Sequence, residues 1–363
     1  MSAAIAGLGT ARPAESIAQS DAAEFAKTLF APTHPQARLL PVLYGRTGVG
    51  RRGSVLLERT AEAELTQSFF PPAGETGGRG PTTRERMERY AEEAAPLAQE
   101  AAGRALQAAG LAPRAITHLV TVSCTGFVAP GVDLALVKRL GLSPTIGRTH
   151  VGFMGCHGAL NGLRVAAALV GEEPGARVLL CAVELCSLHV HYGWDPEKIV
   201  ANALFADGAG ALILAPASSA SAEAWQLAAS GSSLLPDSED AMTWRIGDHG
   251  FEMTLSPRVP SLIGSQLRPW LVPWLAHHRL AVEDVHSWAI HPGGPRVLDA
   301  VATCLGLSAE AMASSADILA ECGNMSSATT VFLLERLRER RAQRPCVALA
   351  FGPGLAVEVA LFC

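Results

Sequence analysis

VGFMGCHGALNGL, residues 151–163, places one thiol, Cys156, between glycines where an apolar run ends and a small-residue helix begins. A tight turn there exposes a side chain, and the unpaired N–H groups of a helix start favour a thiolate. Taken alone, the stretch favours a plainer reading, because most free cysteines are small buried hydrophobes. The rest of the chain decides between the two.

Working outward, β-branched apolar runs alternate with amphipathic helical stretches. ITHLVTVS (116–123), RVLLCAV (177–183), HSWAI (286–290) and CVALAF (346–351) read as strands. The N-terminal MSAAIAGLGTARPAE reads as a further strand and a turn. The segment 82–111 reads as a helix opened by a capping box of Thr82 and Glu85 and stopped at Gly110. PPAGETGGRGP (71–81) is a Gly/Pro-rich loop and ASSASAEA (217–224) a linker. Apolar strands separated by helices imply sheets covered on both faces, an α/β fold.

An internal repeat sharpens this reading. AAGLAPRAITHLVTVSCTGF (108–127) is echoed by HHRLAVEDVHSWAIHPGGP (277–295), with His118 matched to His286 at a spacing of 168 residues. Gly155-Cys156 is echoed at the same spacing by Gly323-Asn324. LGLSPT (140–145) matches LGLSAE (305–310) three residues out of step, and ALFADGAGALIL (203–214) matches ALAFGPGLAVEVAL (348–361). Two related halves follow, 1–220 and 221–363. If they pack about a pseudo-twofold axis, the two matched helix starts meet at the centre, bringing Cys156 to Asn324. His291, at the end of the HSWAI strand, falls on the same seam.

Composition narrows the class. The chain has 363 residues, 49% hydrophobic and 17% charged, enough to bury a large core. A net charge of −5 without Lys/Arg runs argues against nucleic acid as a partner. No basic segment precedes the N-terminal apolar run, and no stretch is long and apolar enough for a bilayer, so a soluble cytoplasmic protein is expected. Its eight cysteines form neither CxxC pairs nor Cys/His clusters, which suits free thiols in a reducing compartment and no metal site.

FMGCHGALNGLR, ALFADGAGALIL, WAIHPGGPRVLD, ECGNMSSATTVF and FGPGLAVE, in that order, resemble the motifs of type III polyketide synthases, the chalcone synthase-like enzymes. The resemblance implies a thiolase-type duplicated αβαβα layered fold and a homodimer. It also implies that Cys156 carries the acyl group, that His291 and Asn324 are its catalytic partners, and that Phe205 guards the junction of the CoA tunnel and the reaction cavity. Gly352, Pro353 and Gly354 correspond to the loop that shapes that cavity. The implied substrates are an acyl-CoA and malonyl-CoA, with no metal, flavin or nicotinamide cofactor. The chemistry suits the residue types. Decarboxylation of malonyl-CoA leaves an enolate, and an asparagine donates a hydrogen bond to it without titrating.

Departures from the family bear on substrate. Cys124 and Thr125 fall on the cavity wall in a pattern resembling bacterial members, and Cys186 and His189 stand where plant chalcone synthases have threonines. Trp244 replaces a glycine and Met253 a phenylalanine, so the cavity facing the indole should shrink unless an acyl chain leaves by another channel. In the region that carries basic CoA-phosphate ligands in the plant enzymes, only Arg46 and one of Arg51 or Arg52 remain. Gly293, Gly294 and Arg296 lie at the expected tunnel mouth. Delivery by an acyl carrier protein is thereby left open, and with it a β-ketoacyl-ACP synthase III-like single condensation. A papain-like cysteine hydrolase shares the Cys, His, Asn chain order, but the repeat and the mid-chain cysteine count against it.

Overall fold

The computed structural model describes residues 2–30, 36–221 and 223–363, so Ala222 of the expected linker lies outside the described residues. Its organising element is a nine-stranded mixed sheet. In spatial order the strands are Ser287–Ile290, Cys346–Gly352, Ala356–Phe362, Gln226–Leu234, Ala3–Ala11, Asp207–Pro216, Val178–Leu185, His118–Ser123 and Gly147–Gly152. The order mirrors itself about the Ala3–Ala11/Gln226–Leu234 pair. On each side a first strand is followed by an antiparallel neighbour and then by parallel strands. The mirror fails at one place. The mate of Gly147–Gly152 would occupy 315–320, which is helical, inside Ala309–Cys322. The three-residue slip between the LGLS motifs lies just before this break.

Alternation along each strand separates three cores. Leu179, Cys181 and Val183 face an outer core under the helix Thr83–Ala109, whereas Val178, Leu180 and Ala182 face a central one. On the other half, Ala348 and Ala350 face the same central core, and Val347 and Leu349 face a third. The central core holds the helices Gly158–Glu172 and Thr329–Glu339, and the third is covered by Val259–His277 and Pro295–Leu305. Helix, sheet, helices, sheet, helices gives five layers. No helix among the described residues is long and apolar enough to cross a membrane.

Local chemistry explains the main elements. The helix Thr83–Ala109 has the expected capping box at Thr82/Glu85 and ends at Gly110 in the left-handed region. Within 71–81 a single helical turn, Ala73–Thr76, forms between Pro72 and a left-handed Gly77. Ala94, Ala98, Ala101, Ala102 and Ala105 recur at helical spacing and are buried against the N-terminal strand. Their small size lets helix and strand backbones approach so closely that a Cβ on Gly9 would sit 2.5 Å from the Ala101 carbonyl oxygen. Gly9→Ala is therefore expected to destabilise the fold by about 1–3 kcal/mol in urea denaturation. Gly103→Ala, on the same helix with open space at its Cβ position, should instead stabilise by up to about 1 kcal/mol. Equal effects would contradict the close-approach argument.

Candidate active site

The two repeated helix starts meet as the repeat requires. Cys156 sits in the turn Gly155–His157, ahead of the helix Gly158–Glu172. Asn324 precedes the turn Ser326–Ala328 and the helix Thr329–Glu339. Gly155 (φ 71°) and Gly323 (φ 75°) both take the left-handed backbone that turns the chain into its helix. Pro353 packs where a Cβ of Gly155 would be. The Cys156 Sγ lies 4.0 Å from Asn324 Oδ1. That oxygen accepts the Ser326 N–H at 2.8 Å, which fixes the amide and leaves Nδ2 as its uncommitted donor. The Asn324 backbone is itself fastened to the Phe205 segment. Ala206 N–H donates to Asn324 C=O at 2.9 Å, and Asn324 N–H donates to Leu204 C=O at 3.0 Å.

His291 follows the strand Ser287–Ile290, its N–H tied to Leu349 C=O at 2.8 Å. Its ring is 1% exposed, and neither ring nitrogen has a partner among the described residues. With Cys156, Asn324, Phe205 and Gly293 it lines a small cavity of about 20 Å³. Burial pushes the imidazole down to about 3, helped by the field of His157 and opposed by Asn324. Burial likewise pushes the Cys156 thiol up to about 12, against hydrogen bonds from Ser326 and Asn324. Cys156 is at the helix start as anticipated, and the pull of that terminus toward a thiolate is opposed here by burial, which disfavours charge on thiol and imidazole alike.

Cys156 and Phe205 also line a larger cavity of about 470 Å³, together with Cys124, Thr125, Cys186, His189, Trp244, Met253 and Pro353. Its lining also includes apolar Ile17, Ala22, Phe25, Leu57, Leu65 and Phe70 and polar Asp21, Thr66, Gln67 and Lys198. Trp244 pairs with Met253 across the hairpin Met242–Gly247/Gly250–Leu255, and its Nε1–H donates to Cys124 C=O at 2.7 Å. The indole is thus pinned beside Cys124.

Sequence reasoning missed the group that organises this wall. Glu184, fully buried in the strand Val178–Leu185, accepts from Cys124 N–H at 3.0 Å, Thr125 Oγ1–H at 2.7 Å and the Ser327 hydroxyl. Cys124 Sγ in turn lies 3.2 Å from Ser326 Oγ. A lone carboxylate in an apolar strand was the available signal. Asp207 is similar. It accepts from Ser187 N–H, Ser187 Oγ–H and Val55 N–H, and burial pushes it up to about 6.

Other expected site residues are placed differently. His189 has no free nitrogen for an intermediate, because Nε2 is 2.7 Å from Thr125 C=O and Nδ1 accepts Phe251 N–H at 2.9 Å. Stacked on Phe251, it is wall. Gly352 and Gly354 lie behind Pro353, and the lack of a Cβ at Gly352 makes room for the His157 ring. Arg52 turns inward to the carbonyls of Asn202 and Phe205, and Arg51 reaches Ser16. Arg52 also lines the large cavity, and Arg51 is exposed. Arg46 and Arg296 are exposed, and Gly294 is buried at the start of the helix Pro295–Leu305 with φ 132°.

The family models for chalcone and stilbene synthases match almost the whole chain, the N-terminal domain over residues 2–217 and the C-terminal domain over 226–363. Among curated proteins, the Alpha-pyrone synthesis polyketide synthase-like Pks18 of Mycobacterium tuberculosis is 38% identical, over 99% of this chain and 91% of that one. The 1,3,6,8-tetrahydroxynaphthalene synthase of Streptomyces peucetius is 35% identical, over 98% and 92%. Among solved structures, PKS-I of the brown alga Ectocarpus siliculosus superposes with a TM-score of 0.91 at 32% identity, over 99% of this chain and 98% of that one. A cysteine at a helix start, a buried histidine and a fixed asparagine at the seam of a duplicated layered fold agree with these matches: the chain belongs to the chalcone and stilbene synthase family, the type III polyketide synthases, enzymes of the acyltransferase class.

Proposed function

We propose that this enzyme loads an aliphatic acyl group from CoA onto Cys156, extends it with malonyl-CoA and releases an α-pyrone. The carrying observation is that Cys156, His291 and Asn324 line one small cavity in which both nitrogens of His291 are unpartnered. Sγ attacks the thioester carbonyl while its proton passes to His291. The carbon–sulfur bond to CoA then breaks, and the proton leaves with the CoA thiol. Because burial disfavours charge on thiol and imidazole alike, proton transfer accompanies attack instead of preceding it. Malonyl-CoA next loses CO₂, and its carbonyl oxygen takes up the charge. One N–H of neutral His291 and Nδ2–H of Asn324 donate to that oxygen. The enolate carbon attacks the acyl–Cys156 carbonyl and releases Sγ, so the chain grows by two carbons on CoA. After a second round, an enol oxygen attacks the thioester carbon, closing the lactone and freeing CoA. Every developing charge meets an N–H of the chain itself, so the reading requires no bound cofactor.

The starter class is read from the large cavity. Trp244 crowds the end beside Cys124 and Cys156, and Ile17, Ala22, Phe25, Leu57, Leu65 and Phe70 give a flexible chain an apolar strip in a lining that also carries Asp21, Thr66 and Gln67. The printed name of the mycobacterial relative, an α-pyrone synthesis protein, supports the same product class. Exposed Phe127, Val128 and Met154 flank the edge strand Gly147–Gly152, whose outer side is unpaired among the described residues. An open edge beside apolar side chains suits pairing with a second copy, and a homodimer is part of this reading.

Four outcomes test it. Cys156→Ala should abolish the acyl adduct seen by intact-protein mass spectrometry yet retain malonyl-CoA decarboxylation, whereas His291→Ala or Asn324→Ala should lower decarboxylation by about 10²–10³-fold. In Cys156→Ala that decarboxylation should be flat between about pH 6 and 9, since neither donor titrates there. A decline across neutral pH would show that a charged imidazole does the work. Ala22→Phe should reduce kcat/KM for long acyl-CoAs by about tenfold or more and spare short ones, and a uniform change would place the chain elsewhere. Light scattering should give twice the mass of one chain for the native protein and a single-chain mass for Phe127→Asp.

A further inference from the structure

Each half of the chain buries a glutamate that reaches the catalytic turn of the other half. Glu184, in the strand Val178–Leu185, takes the hydroxyl of Ser327, three residues past Asn324. Glu358, in the strand Ala356–Phe362, reaches the Cys156 turn by a longer route. Asn161 Nδ2–H donates to Glu358 Oε1 at 2.9 Å, Ser232 Oγ–H donates to the same oxygen at 2.7 Å, and Arg164 pairs with Oε2. With Nδ2 committed to the carboxylate, Asn161 turns Oδ1 to the ring of His157, 2.7 Å from Nδ1. That oxygen only accepts, so Nδ1 carries the proton. His157, Asn161 and Arg164 stand at i, i+4 and i+7 along the helix Gly158–Glu172 and share one face. His157 itself follows Cys156 directly, is 2% exposed and lines neither cavity. Neither the turn Gly155–His157 nor the helix after it has a side-chain cap. Apart from the contacts of the Cys156 thiol itself, the His157–Asn161 bond is what ties a side chain of this turn to its surroundings.

We propose that His157 is a positioning residue for the nucleophile: its Nδ1–H, held by Asn161 and through it by Glu358, fixes the Cys156 turn of one half to the last strand of the other. The inference rests on the reading of Cys156 as the acyl acceptor and adds a residue to it. A relay that ends on a carboxylate inside the core is stiff, because a charged acceptor in a low dielectric strengthens each bond leading to it. Arg164, with its side chain 42% exposed, brings the compensating charge from the surface. The tether acts on the turn that carries Sγ. His291 is held separately, through its N–H to Leu349 C=O, and Asn324 through its bonds to Leu204 and Ala206. The field of His157 adds to the downward push on His291, but burial is the larger cause and stays in place without it. Loss of the tether therefore falls on the steps that make or break the bond to Sγ, and decarboxylation, which uses His291 and Asn324, is spared.

The test compares single-turnover acylation of Cys156 by lauroyl-CoA, followed by intact-protein mass spectrometry, with malonyl-CoA decarboxylation by the same variant. His157→Phe keeps a ring but no donor. It should lower the maximal acylation rate by about tenfold or more while half-saturation by lauroyl-CoA stays within about threefold. Its decarboxylation should fall by no more than about twofold. His157→Asn, whose amide N–H stands where Nδ1 does, should recover most of the lost acylation rate. Asn161→Ala cuts the same tether one turn away and should give the same split, and it carries the test if His157→Phe does not fold. Equal acylation rates for His157→Phe and His157→Asn would overturn the proposal. So would a parallel fall of acylation and decarboxylation, or acylation at the native rate in Asn161→Ala. No acylation of the native protein would overturn the acyl-acceptor reading, and the positioning role with it.

Discussion

The site depends on two backbone hydrogen bonds that join the halves of the chain, Asn324 N–H to Leu204 C=O and Ala206 N–H to Asn324 C=O. They form a one-rung parallel bridge between Phe205, which lines both cavities, and the asparagine facing Cys156. Because the bridge is made of main chain, it sets the position of both side chains whatever their rotamers. Arg52 adds to it from outside by holding the Asn202 and Phe205 carbonyls at the end of the helix Pro196–Leu204. A guanidinium there satisfies carbonyls that the helix leaves open.

Burial follows from this closure and decides the electrostatics. Burial is the largest influence on Cys156 and His291 alike, and in both it favours the uncharged form. A neutral site strengthens hydrogen bonds to a charge that appears only during reaction, since no resident ion competes for the donors. Burial pushes Glu184 the same way, against hydrogen bonds from Ser327, Thr125 and Cys124. Its carboxylate is consumed by donors from Cys124, Thr125 and Ser327, so it acts as a fastening for the cavity wall and presents no free acceptor.

The fold was legible because its signals are periodic and repeated. Strands 118–123, 178–185, 287–290 and 346–352 fall within a residue or two of the apolar runs that announced them. The 168-residue spacing brought Cys156 to Asn324 before any geometry was known. What escaped is what periodicity does not encode. Glu184 and Asp207 matter through partners more than 20 positions away or on other strands, and no local spacing signals them. His189 looked like a polar pocket residue because its type is polar, but only coordinates show that both nitrogens are spent. Arg51 and Arg52 are adjacent in sequence and equal in charge. Their different fates depend on strand pairing with Ser16–Ala18, which points one outward and the other in.

Backbone strain marks the same seam. Of the seven non-glycine residues with left-handed φ among the described residues, three, Phe153, Ser326 and Leu355, lie here, at 61°, 48° and 48°. One lies three residues before Cys156, one two residues after Asn324, and one beside Pro353 at the cavity wall. Each such conformation costs on the order of 1–3 kcal/mol, an expense that isolated loops would relieve by moving. Here they cannot move independently. Phe153 is held by its N–H to Ser123 C=O, Ser326 by its N–H to Asn324 Oδ1, and Leu355 by complete burial in the third core. Three rigid layers therefore hold three unfavourable turns, and the turns in turn aim thiol, amide and cavity wall at one point. A nucleophile in a flexible loop would have to be brought to its partners at each turnover. In this fold that ordering is completed during folding, before substrate arrives.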